Sequence, residues 1–344
     1  MVRLGLAIVF TVTFALAAQA QQSTRIALGC CVDQSERQAV WDALNLAEPE
    51  VFALLGNGVS ADADDMDELL AAYEVFNRYR GPRLLRRNSA FVSTWGADDY
   101  SIDGHEGADN PRRYAVRNHF LTFWREPLTS PRMFQEHGIA KSFIVGEAPQ
   151  RVQIILLDTR WAREPLKTKG VFARIGHYFD DNTGPYQVGP THRLLGEGQW
   201  QWLEEQLKKD AEVRVILSEM PFVAPQNGFP SWALFTQEQQ RLFALIDNLE
   251  VKHVLFGHGG VHFGQIVKAP QLLDYPVWQV SSGTINRSDE TPYQFNQRQG
   301  SGEPSTRFGM IEITWLEQPT VTLSLRDVNG RSLSSTTINL SELQ

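Results

Sequence analysis

Short apolar runs dominate the chain, and each of them ends in a loop of Gly, Asn, Asp, His or Cys. Arg25–Cys31, Val51–Leu55, Ala90–Trp95, Ser142–Val145, Val152–Asp158, Val213–Ser218 and His253–Gly257 read as strands. Between them the apolar residues recur at helical spacing. Ser35–Leu46, Met66–Arg80, Arg113–Phe123, Glu197–Lys209 and Thr236–Leu249 read as helices, the last with Thr236 as candidate N-cap. Beyond residue 257 the helices stop. Val277–Ser281, Gly309–Trp315, Val321–Arg326 and Thr336–Leu340 are strand-like. This order requires an α/β fold with central β-sheets flanked by helices and a β-rich C-terminal part. No repeat or low-complexity linker divides residues 21–344, which read as a single domain.

Residues 1–20 read as an export signal. Arg3 is the basic start, Leu4–Ala17 the apolar stretch and Ala18-Gln19-Ala20 an A-x-A cleavage site. No second long apolar run follows, so the expected product has no membrane span and is periplasmic or secreted. The formal charge of −8 argues against nonspecific nucleic-acid binding, which needs a basic face. Cys30 and Cys31 are the two cysteines. They are adjacent, and a bond between neighbours is strained because their Cα atoms lie only about 3.8 Å apart.

In α/β folds chemistry sits in loops beyond the C-terminal strand ends. The candidate loops are therefore Gly29–Asp33, Gly56–Asp62, Trp95–Asp109, Asp158–Arg160, Ser218 and Gly257–His262. Cys30-Cys31 offers a thiolate for a metal or a nucleophile, or two small core residues. Gly56-Asn57-Gly58 is a tight turn whose only side-chain donor is neutral. The Trp95 loop carries Asp98, Asp99, Asp103, His105, Glu106 and Asp109, either a cation site or a solvated acidic loop. His258 and His262 sit among glycines, without a third ligand nearby in sequence. Arg160 either binds a phosphate or pairs with a carboxylate. No G-x-S-x-G elbow, P-loop or G-x-G-x-x-G is present. Residues 159–195 read as one long loop, the usual form of a lid or binding loop.

The segments IALGCCVDQ, VQIILLDTR (152–160), LLGEGQWQWLEEQL (194–207), SWALFTQEQQRLFALI (231–246), VSSGTIN (280–286) and FGMIEITW, in that order, resemble the PhoD-like alkaline phosphatase/phosphodiesterase family. That family belongs to the calcineurin-type metallophosphoesterases, so the resemblance implies their fold. It also implies positions for the active site. Cys31 matches the family's metal-ligating Cys, and Arg160 its retained Arg. Asn57 stands where the family has a metal-bridging Asp, and Ser60 where it has a metal-binding Tyr. Gly96, Ala97 and Asp98 replace two adjacent carboxylates and a His, and Asp99 matches the block's last Asp. His258 replaces an Asp, and Gly260 a His. A pair of cations about 3.5–4 Å apart needs several anionic ligands, and most of those are replaced here.

The expectation is a degenerate, catalytically inactive member with no cofactor and a small-molecule or protein partner. Two alternatives stay open. One is a residual phosphomonoester or phosphodiester hydrolase with a divalent or ferric ion at reduced stoichiometry, held by Cys31, Asn57 and His258 with help from Asp98 or Asp99. The other is a binder of a small phosphate ligand through Arg160.

Overall fold

Strand β1 (Ser23–Gly29) pairs parallel with β2 (Val51–Leu55), which pairs parallel with β3 (Ala90–Thr94). On its other side β1 pairs antiparallel with β10 (Phe308–Thr314), followed outward by β11 (Thr320–Arg326) and β12 (Ser332–Asn339). A second six-stranded sheet has the order β4 (Lys141–Val145), β5 (Val152–Leu156), β6 (Val213–Ser218), β7 (Val254–His258), β9 (Val277–Ser281), β8 (Ile266–Ala269). These are features of a computed structural model that describes residues 23–101, 107–170, 182–189 and 192–344. The export-signal reading of 1–20 falls outside the described residues, as do Asp103, His105 and Glu106.

The two sheets face each other. Ile26 and Leu28 of β1, with Val51, Ala53 and Leu55 of β2, share one core with Ile154, Leu156, Val215, Leu217 and Leu255 of the second sheet. Their alternate neighbours Ala27, Phe52 and Leu54 turn the other way, onto a helical layer. That layer is α1 (Val40–Leu46), α2 (Met66–Asn77), α3 (Arg80–Asn88) and α5 (Arg113–Phe123), with a single turn, α4 (Ala97–Tyr100), between the last two. On the far face of the second sheet lie α6 (Glu197–Leu207) and α7 (Thr236–Asn248), which contribute Trp200, Leu203, Leu242 and Ile246. Strands covered on both faces favour apolar residues at every position, which is why VFALL reads as an unbroken run; in VQIIL the buried Gln153 is the exception, its amide donating to the Gln206 carbonyl at 2.8 Å.

Several expectations are corrected. The helix read over 35–46 begins at Val40, because Asp33 accepts from the Ser35 N–H and ties residues 33–38 into a turn. The helix read to Arg80 ends at Asn77, and α3 starts at Arg80 with Pro82 in its first turn, where a missing N–H costs nothing. Thr236 is the first helical residue of α7, with Phe235 in the cap position and no side-chain cap. Strand β8, a four-residue edge, gives too short a signal to read.

β1, β2 and β3 run parallel, as do β5, β6, β7 and β9, so their C-terminal ends carry the loops selected from sequence.

A candidate site built from loops at the strand ends

Leaving β1, Cys30 and Cys31 are fully buried and joined by a disulfide, contrary to the expectation for neighbours. In that state Cys31 has no thiolate to give a metal. Its N–H donates to the Gly56 carbonyl at 3.2 Å, and its carbonyl accepts from Thr284 Oγ1 at 3.1 Å.

Leaving β2, Asn57 takes φ +46°, a left-handed conformation that Asn tolerates. Its carbonyl accepts from Val32 N–H at 2.8 Å and its Oδ1 from Asp98 N–H at 3.2 Å. The replacement at Gly96 is coupled to this one. A Cβ at position 96 would lie 1.9 Å from Asn57 Oδ1 and 2.4 Å from Asn57 N, so no side chain fits there while this turn persists. Gly96→Ala is accordingly expected to lose about 1–3 kcal/mol by overpacking. Urea denaturation checks this, and a change below about 0.5 kcal/mol would mean that the Asn57 turn is not held as described.

Asp99, on α4, is buried and acts as a clip. Its carboxylate accepts from Gly58 N–H at 3.0 Å and Gly96 N–H at 2.9 Å, which ties the β2 and β3 exits together. Burial pushes its pKa up to about 7 against the pull of those backbone donors. Ala97 and Asp98 open the same turn. Asp98 is ion-paired with Arg287, and Arg287 Nη2 also lies 3.4 Å from the carbonyls of Val32 and Val59. One guanidinium thus bridges three of the four loops on which the resemblance places metal ligands. Ser60 is held by its backbone, its N–H donating to Gln34 Oε1 at 2.7 Å. Beside it a shallow cavity of about 580 Å³ is lined by Asp33, Ser60, His262, Asn286, Arg287 and Arg307.

From the second sheet, Asp158 accepts from the backbone N–H groups of Arg160, Trp161 and Ile139 and from Trp95 Nε1, all at 2.8–3.0 Å. Arg160 Nη2 pairs with Glu219 Oε1 at 2.6 Å, and Thr159 Oγ1 donates to Glu219 Oε2 at 3.1 Å. Arg160 is thus paired with a carboxylate in this structure, one of the two arrangements expected for it. His258 is fully buried at the end of β7. Its Nδ1 donates to the Gly259 carbonyl at 2.8 Å, leaving Nε2 as an acceptor with no partner among the described residues. Burial lowers its pKa to about 4, so it is neutral at pH 7. Gly260 has φ +69°, and a Cβ there would meet the Glu219 carbonyl oxygen at 2.6 Å.

The strand ends therefore bring Cys31, Asn57, Asp98 and Asp99 into one hydrogen-bonded set, with Arg160 and Gly260 meeting at Glu219. The residues present do not fit a two-metal centre. Cys31 is oxidised, the Asn57 and Asp99 oxygens are bonded to backbone N–H groups, and Asp98 faces a guanidinium. Among the described residues no group of three or more His, Cys, Asp or Glu side chains converges on a metal position. Sequence reading missed Glu219 and Arg287. Each directly follows a segment that was singled out, Ser218 and VSSGTIN, so the signal was one residue away.

Solved structures share this geometry. The solved structure of PhoD superposes with a TM-score of 0.68 at 13% identity, covering 94% of this chain and 72% of that one. The chain has a PhoD-like metallophosphoesterase fold. A dimetal phosphatase from Danio rerio matches with a TM-score of 0.53 at 16% identity, covering 92% of this chain and 99% of that one. GAP50, described as the anchor in the inner membrane complex of Plasmodium, matches with a TM-score of 0.55 at 11% identity, covering 93% and 89%. No family model matches the sequence, and no curated protein matches it. The likeness thus lies in the fold. No helix among the described residues is long and apolar enough to cross a membrane.

Proposed function

We propose that this chain is an exported, non-catalytic protein of metallophosphoesterase fold, whose strand-end loops present a binding or assembly surface. The observation that carries this reading is the Arg287 bridge. A side-chain cation links Asp98 to the carbonyls of the Cys31 and Asn57 loops, where the resemblance calls for metal ions and anionic ligands. A guanidinium offers hydrogen bonds and charge but no Lewis acidity and no activated water. A Cβ at Gly96 would collide with Asn57 and one at Gly260 with the Glu219 carbonyl, so the glycines at both positions support this reading. The likeness to GAP50, whose description is that of an anchor, supports the fold's use in assembly.

The test is metal content, measured by plasma mass spectrometry after purification without chelator and after exposure to Fe, Ca, Zn and Mn. The expected result is below about a tenth of an equivalent of every metal, with no hydrolysis of 4-nitrophenyl phosphate or its diester. A full equivalent retained, together with turnover lost in Cys31→Ala, would replace this reading with a residual hydrolase.

A further inference from the structure

The chain carries 32 Lys and Arg against 40 Asp and Glu, yet its positive charge is not evenly spread. Residues 78–87 hold five arginines, Arg78, Arg80, Arg83, Arg86 and Arg87, and no acidic residue occurs between Glu74 and Asp98. Helix α3 sorts them by face. Pro82 and Leu85 point inward, and Gly81 packs on Trp41 of α1, so close that a Cβ would lie 2.2 Å from the Trp41 Cβ. Arg80, Arg83, Leu84 and Arg87 fall at i, i+3, i+4 and i+7, a single stripe on the opposite side. All four are exposed, as is Arg78 just before the helix.

Arg86 alone turns inward. Its guanidinium lies 5.0, 5.4 and 4.7 Å from the ring centres of Phe91, Phe123 and Trp124. The exposed arginines do the reverse. Among the described residues none of their guanidinium groups has an ion-pair, hydrogen-bond or ring partner. Asp42 of α1 and Asp67, Glu68 and Glu74 of α2, the acidic residues of the adjoining helices, form no ion pair with them. Leu84 is 37% exposed inside the stripe. Leu46 is 83% exposed and follows Asn45, whose side-chain amide donates to the Gly81 carbonyl at 3.2 Å.

We propose that this α3 face is a docking surface for an anionic lipid bilayer. The chain carries excess negative charge overall, so a local arginine stripe both attracts the protein to such a surface and orients it. A guanidinium fork matches a lipid phosphate. Each basic residue near an anionic surface strengthens binding on the order of fivefold. The leucines separate a bilayer from an acidic protein as occupant. An apolar side chain among arginines adds nothing to ion pairing with carboxylates, whereas the interface of a bilayer takes it in. The proposal is independent of whether the strand-end site binds metal.

Co-sedimentation of the full protein with vesicles tests it. Vesicles mixing phosphatidylglycerol with phosphatidylcholine are expected to bind the protein at low ionic strength, and phosphatidylcholine alone is not. Binding should collapse at about 0.5 M salt. Arg80→Ala, Arg83→Ala and Arg87→Ala combined should weaken partitioning on the order of a hundredfold. Lys208→Ala, Lys252→Ala and Arg331→Ala combined remove the same charge from exposed sites elsewhere and should leave it within about twofold. Circular dichroism verifies that both variants fold, and the salt and lipid dependence of the unaltered protein stands if they do not. The proposal is overturned by absence of binding to anionic vesicles, by equal binding to neutral ones, or by equal loss in both variants. Binding to polyglutamate without binding to vesicles would assign the face to an acidic protein instead.

Discussion

Glu219→Gln is expected to lower folding stability by about 3–5 kcal/mol, the largest effect of any single change at the strand ends. The Arg160 and Glu219 side chains are only 5% and 8% exposed, and their charged atoms are 2.6 Å apart. Attraction holds in such a place because little water screens it, and the same lack of water makes an abandoned charge costly. The amide of Gln fills the same volume but removes the negative charge that faces Arg160 Nη2. Thr159 Oγ1 also loses an anionic acceptor. Replacing both partners, as Arg160→Met with Glu219→Gln, should recover most of the loss, because no buried charge remains. Urea denaturation of the single and double variants decides it. A loss below about 1 kcal/mol in Glu219→Gln would show the pair to be solvent-screened like a surface bridge.

The second large effect depends on pH. Burial holds the His258 pKa at about 4 rather than 6.5, with the Gly259 carbonyl opposing only part of that shift. The folded protein therefore resists protonation that the unfolded chain accepts. Stability from this residue is fully present above pH 6.5 and is lost as pH falls toward 4. The span corresponds to about 3 kcal/mol. His258→Gln, which cannot take up the proton, should lack this component. Carboxylates such as Glu126, which Arg132 and neighbouring hydrogen bonds hold low, also lose stability in acid, but they do so in both proteins. The difference between the two stability curves at pH 7 and pH 4 isolates the histidine. Parallel curves would refute the assignment.

The fold was legible in the sequence because its strands are buried on both faces and its helices on one. Val213–Ser218 and Arg113–Phe123 appear with the boundaries read for them, since apolar period alone decides both. Helix α3 was missed for a physical reason. Gly81 and Pro82 are punctuation in most contexts, but Pro82 falls in a first turn and Gly81 lets α3 approach Trp41. At the site, sequence order located the loops. It gave no access to partners drawn from far along the chain. Arg287 meets Asp98 across 189 residues, and Glu219 meets Arg160 across 59. Nor did it show that Gly96 and Asn57 are complementary, because that follows from a backbone approach rather than from residue type.

The strand order of the first sheet also sets a timetable. β1 has β10 as its antiparallel neighbour, and Trp315 Nε1 donates to Thr24 Oγ1 across 291 residues. At ordinary translation rates β1 waits about 15–60 s for that partner to exist. Until then one of its edges is unpaired, and the sheet can be completed only when the last strands arrive. Chain ends so far apart in synthesis and so close in space make for high contact order and slow closure. This chain cannot finish folding piecemeal as it is made, and remains an open substrate for whatever meets it first.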